Sequence, residues 1–206
     1  MNAPWALANK IEEDDDSSIR LTTATWSDRS LEFQLEISTL DADEKVWQLR
    51  CDDVLEHNLK SWIASSLELT DDHPLLWKFR YDSASAYFNG IPQNVLAAVG
   101  SLYEAHRRAV GEWFSLDVCV NRQIVTSELL QTGSGLLAQG PVPLLVVYKE
   151  ALKSHGIVVE ILSPYPPSGR MSSLALQNKL RNESKVLLIG DSFISGIGWT
   201  ATEMDV

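Results

Sequence analysis

The stretch that most limits how this chain can fold runs from Asn89 to Trp113. Asn89-Gly90 is a turn pair, and the fixed φ of Pro92 suits the first turn of a helix. Apolar or ring-bearing residues then return at Val95, Val99, Leu102, His106, Ala109 and Trp113, with Leu96, Tyr103 and Val110 beside them. That is the i, i+3, i+4, i+7 spacing of one helical face. Asn94, Ser101, Glu104, Arg107 and Arg108 occupy the other face, with Glu104 one turn before Arg108 in the favourable order. Gly100 inside the pattern costs about 1 kcal/mol against Ala, so close contact between helix and sheet is expected there.

The sheet such a helix would cover is written before it. Leu31, Phe33, Leu35 and Ile37 alternate with Glu32, Gln34, Glu36 and Ser38, the mark of a strand with one wet face. Ile19–Thr25 precedes it across Ser27-Asp28-Arg29, and Trp47, Leu49 and Cys51 follow across Asp41–Glu44, which predicts an antiparallel meander. Asp52–Ser61 reads as a short helix or a loop, Leu67 and Leu69 as a further strand, and Leu75–Tyr81 with Ala84–Phe88 as a hairpin. Leu116, Val118 and Val120 alternate like a strand, Arg122–Leu130 reads as a short helix, and Gly133-Ser134-Gly135 and Gly140-Pro141 bracket a segment without clear pattern.

The last third changes rhythm. A helix from Pro143 to His155 ends at Gly156, where a left-handed cap is wanted. Ile157–Leu162 is a short apolar strand, Ser163–Gly169 a rigid Pro-rich loop, Ser172–Asn182 a second helix and Lys185–Ile189 a buried strand. The 22 residues between the two strands suffice for a helical crossover, which would make them parallel neighbours. The fold expected is therefore α+β: an antiparallel sheet covered by a long central helix, with an α/β-like C-terminal portion. Residues 1–18 read as an acidic flexible tail, 19–135 as the sheet with its helix, and 136–206 as the α/β-like portion in the same domain or behind a seam near Gly133–Gly140.

Charge narrows the partners. Across 206 residues, 17 Lys+Arg stand against 28 Asp+Glu, a net −11. Residues 1–60 hold 6 basic and 14 acidic side chains, and Glu12–Asp16 form one like-charge block. Nucleic-acid binding rests on Lys and Arg neutralising phosphates, so this balance argues against it and favours a protein partner with a basic surface. No basic region followed by a long apolar run opens the chain, and the longest apolar run, Leu144–Tyr148, is too short to span a bilayer. Cys51 and Cys119 make no disulfide framework. A soluble cytoplasmic protein with no membrane partner is expected.

Candidate chemistry is sparse. No two His stand four or fewer apart, the Cys are 68 positions apart, and Asp71-Asp72-His73 suits a turn better than a metal, so no metal or cofactor is expected. Glu12–Asp16 lacks the spacing of a calcium loop. Gly133–Gly140 and Gly196-Ile197-Gly198 match neither phosphate-loop pattern. Val186-Leu187-Leu188-Ile189-Gly190-Asp191-Ser192-Phe193-Ile194-Ser195-Gly196 resembles the first motif of the SGNH (GDSL-type) hydrolase family. The resemblance implies Ser192 as a nucleophile at a strand end, beside Asp191. In that family the base is a His far downstream; here 14 residues follow Ser192 and none is His, so a base would have to come from His57, His73, His106 or His155. Two functions follow. The first is a non-catalytic interaction or regulatory protein, such as an adaptor, an inhibitor or an immunity-type factor. The alternative is a serine hydrolase or small-ligand binder at Gly190-Asp191-Ser192.

Overall fold

The computed structural model describes residues 18–39, 42–121, 123–166 and 174–204. The acidic block at Glu12–Asp16 and the end of the Pro-rich loop lie outside them. The chain forms two compact units, one from residues 1–76 and 182–206 and one from Trp77–Arg181.

The first unit is a single seven-stranded sheet. Its strands are β1 (Ser18–Ser27), β2 (Ser30–Thr39), β3 (Ala42–Asn58), β4 (Ile63–Ala64), β5 (Leu67–Thr70), β9 (Lys185–Ile189) and β10 (Ser192–Met204). The order is β4-β1-β2-β3-β10-β9-β5, and every pairing is antiparallel. Period-two patterning builds it. Leu31, Phe33, Leu35 and Ile37 of β2 face inward with Trp47 and Leu49 of β3. Every fully buried member of this core lies on one of the seven strands, so the sheet curls and packs its inner face against itself. Its outward face carries polar pairs. Arg20 pairs with Glu36 at 3.7 Å, Arg50 with Asp52 at 2.7 Å, and Gln48 donates to Glu32.

The second unit holds a three-stranded antiparallel sheet in the order β7-β6-β8, from β6 (Ser83–Asn89), β7 (Ser134–Pro141) and β8 (Val158–Tyr165). Its helices are α1 (Trp77–Arg80), α2 (Val95–Val110), α3 (Leu116–Cys119), α4 (Thr126–Gln131), α5 (Val142–Lys153) and most of α6 (Leu174–Glu183). α2 is the helix foreseen from the spacing, trimmed by its caps. The Asn94 side chain accepts the Ala97 N–H at 3.0 Å, and Gly111, at φ +61°, donates its N–H to the Arg107 carbonyl at 2.8 Å. Its buried stripe is Ala98, Leu102, His106 and Val110, which joins Ala84, Ala86 and Phe88 of β6 and Leu145, Tyr148 and Leu152 of α5 in one core.

The expected architecture is therefore corrected. Among the described residues no long helix covers the N-terminal sheet: α2 belongs to the second unit and buries its apolar stripe there, and the first sheet curls into an open half-barrel around its own core. The C-terminal portion is not α/β-like either. Among the described residues β8 pairs only with β6, while β9 lies antiparallel between β10 and β5 in the other sheet. The spacer of 22 residues permits a crossover, but Gly190-Asp191 makes a two-residue hairpin that gives β9 a nearer partner in β10. Leu75–Tyr81 is helical rather than a hairpin arm, and Leu116–Val120 is one helical turn ending in a bridge to Ala138, not a strand.

Candidate functional site

Gly190-Asp191-Ser192 sits at the β9–β10 hairpin, with Ile189 opposite Ser192. Gly190 takes φ +53°, at the first turn position where type II′ hairpins place glycine. Asp191 is exposed at the tip, and Ser192 is fully buried. Its Oγ accepts the Lys60 N–H at 2.9 Å and the Ser61 N–H at 3.2 Å, which occupies both hydroxyl lone pairs. A nucleophile needs a free lone pair and a base in reach. The four His are engaged elsewhere. His57 lies against Trp26, with ring centroids 4.4 Å apart, and His73 Nδ1 accepts the Leu75 N–H at 3.3 Å. His106 and His155 belong to the second unit, where His155 bonds Ser101 at 2.8 Å.

The other sequence candidates resolve into structure. Gly133–Gly140 becomes β7 with its preceding turn, and Gly196-Ile197-Gly198 lies within β10. A Cβ on Gly196 would stand 2.2 Å from Cys51 Sγ and 2.7 Å from the Asp53 carbonyl, so the glycine permits β10 to cross β3 over that thiol. Burial, before the neighbouring Asp52, pushes the Cys51 thiol up to about 12. Arg107 and Arg108 pair with Glu112 and Glu104 at 2.6 and 2.5 Å. Among the described residues, no three His, Cys, Asp or Glu side chains gather as metal ligands would.

A groove of about 1240 Å³ runs along α2 in the second unit. Leu96, Val99, Gly100 and Tyr103 form one wall, and the other runs from Phe114 through Leu116, Val120, Ile124 and Val125. His106 holds its floor. Its Nε2–H donates to the Phe114 carbonyl at 2.8 Å, which leaves Nδ1 to accept the Tyr148 hydroxyl at 2.7 Å. Burial, and then the hydrogen-bonded Cys119 thiol, pushes the Tyr148 hydroxyl up, so it remains a donor. This network fixes α5, α2 and the opposite wall to one another.

Gly100 has no atom within 4 Å of where a Cβ would stand. The tight helix–sheet contact expected there is absent, and the missing side chain instead leaves a notch in the groove wall. Around it Leu96 is 77% exposed, Tyr103 52% and Val125 63%, an apolar lining open to solvent. Glu112 and Asp117 stand on the rim, with Arg107 paired to Glu112. Sequence patterning passed over this site because its far wall mimics a strand. The signal was the width of the α2 stripe: Leu96 and Tyr103 fall beside the buried face, more apolar surface than one packing partner needs.

Among the described residues no helix is long and apolar enough to cross a membrane. No protein-family model matches the chain, no curated protein is significantly similar to it, and no solved structure matches it.

Proposed function

We propose that this is a non-catalytic protein-interaction protein, of adaptor or inhibitor type, whose groove along α2 receives an amphipathic helix of a partner protein. The observation that carries the reading is the open apolar lining at Leu96, Tyr103 and Val125, with the Gly100 notch between its parts. A helix laid in a groove reads out apolar side chains at i, i+3/i+4 and i+7, and a side-chain-free notch lets its backbone approach. The partner helix carries Lys or Arg on its flanks. The net −11 of the whole chain attracts a basic partner at long range, and Asp117 at the groove offers it a carboxylate. The engagement of Ser192 in two main-chain hydrogen bonds supports a non-catalytic role.

The test uses a labelled synthetic helix with Leu on one face and Lys on its flanks, beside a scrambled peptide of the same composition. Fluorescence anisotropy is expected to show tighter binding of the patterned peptide. Gly100→Leu, which fills the notch, is expected to weaken it by about tenfold or more. Equal binding of patterned and scrambled peptides, or indifference to Gly100→Leu, removes the proposal.

A further inference from the structure

Three helices of the second unit bring a thiol, a phenol and an imidazole into one hydrogen-bonded chain. Cys119 ends α3, Tyr148 lies in the middle of α5 and His106 lies in the last turns of α2. His106 uses its Nε2–H on the Phe114 carbonyl, so its Nδ1 accepts, and Tyr148 donates its phenolic proton there at 2.7 Å. Tyr148 has no second hydroxyl proton, so the hydrogen bond between Tyr148 and Cys119 is donated by the thiol. A proton can step along this chain from sulfur, through the phenol, to a base. Such a path matters because the thiolate, not the thiol, is the nucleophile. Tyr148 and His106 are fully buried, whereas Cys119 is half-buried and lines a cavity of about 390 Å³. Cys51 has neither advantage: it is fully buried, and burial pushes its thiol up to about 12.

We propose that Cys119 is a nucleophilic thiol for small, uncharged α,β-unsaturated carbonyl compounds, with His106 as its base through Tyr148. The cavity sets the class. Val118, Val120, Leu136 and Ala138 line it, and no charged side chain does among the described residues, so it suits a neutral, largely apolar molecule. Cys119 is the sole cysteine between Trp77 and Arg181, which favours addition over disulfide formation within the unit. In the reaction the Cys119 proton passes to Tyr148 as the Tyr148 proton passes to His106 Nδ1. The sulfur bonds to the β carbon, the C=C pair moves to the carbonyl oxygen as an enolate, and the α carbon takes a proton from water. His106 returns its proton through Tyr148 to the hydroxide so formed. The product is a thioether, one per chain, and nothing turns over, in keeping with a non-catalytic protein.

The probe is N-ethylmaleimide at about pH 7, with adducts located by peptide mass mapping. The folded protein is expected to take one adduct, on Cys119, and to leave Cys51 untouched until urea unfolds the chain. Despite its partial burial, Cys119 is expected to react about tenfold faster in the folded chain than in the unfolded one. This comparison within the wild-type protein needs no variant to fold. His106→Asn separates a base from a structural support, because its amide oxygen still accepts the Tyr148 hydroxyl but takes up no proton. Folded His106→Asn, checked by near-ultraviolet circular dichroism, is expected to lose the rate advantage, which a purely structural His106 would preserve. Cys119 reacting no faster folded than unfolded, an adduct on Cys51 of the folded chain, or a folded His106→Asn that keeps the native rate overturns the proposal.

Discussion

Single atoms decide what Ser192 is. Its hydroxyl ties the chain between β3 and β4 to the start of β10, and Ser192→Ala leaves two main-chain N–H groups without that acceptor. The expected cost is about 1–3 kcal/mol, read as a lower urea midpoint. A fluorophosphonate probe is expected to leave the native protein unlabelled; labelling that disappears in Ser192→Ala would restore the hydrolase reading. His73 gives a second residue-scale expectation. Burial holds it below its ordinary 6.5, against a smaller opposite pull from Asp72. The unfolded chain therefore takes up a proton that the folded chain resists, and stability is lost as pH falls below about 6.5 through the lower folded value. In His73→Asn, which keeps an acceptor but no proton, the difference from wild type in urea midpoint is expected to shrink from about pH 7.5 to about pH 5.

Secondary-structure elements were legible where one chemical pattern dominated. The alternation in β2 and the stripe of α2 each name the face that is buried. Periodicity says that a face is covered but not by what, which is why α2 could be laid on the wrong sheet. β10 was hidden for a different reason. Its first six residues, Ser192–Ile197, are buried on both faces, so they lack alternation, and Gly196 and Gly198 look like punctuation. Gly190-Asp191 between two apolar runs was nonetheless a hairpin signal. The groove was the least legible, since Leu116, Val118 and Val120 alternate yet form one helical turn. At this scale Gly100→Ala tests the open space beside α2. With nothing near the added methyl, the helix is expected to gain about 0.5–1 kcal/mol, measured as a raised thermal midpoint. Destabilisation would mean that the backbone there is packed against something.

Among the described residues two hydrophobic cores form, one confined to each unit, and the second unit is inserted between β5 and β9 of the first. Entry and exit of the insert meet within it, where Arg181 pairs with Asp82 at 2.6 Å. A fragment of residues 77–181 is accordingly expected to fold alone, with dispersed amide resonances, whereas residues 1–76 are expected to stay unfolded or aggregate for want of β9 and β10. A disordered 77–181 fragment would show the two cores to be one cooperative system. The placement of β10 beside β3 also sets a timetable. On the ribosome β3 emerges well over a hundred residues ahead of the strand that must lie beside it, a wait on the order of ten seconds at ordinary synthesis rates. Through that interval one long flank of β3, Trp47 and Leu49 among its side chains, lacks its neighbour, so chaperone demand during translation should fall on the half of the chain made first.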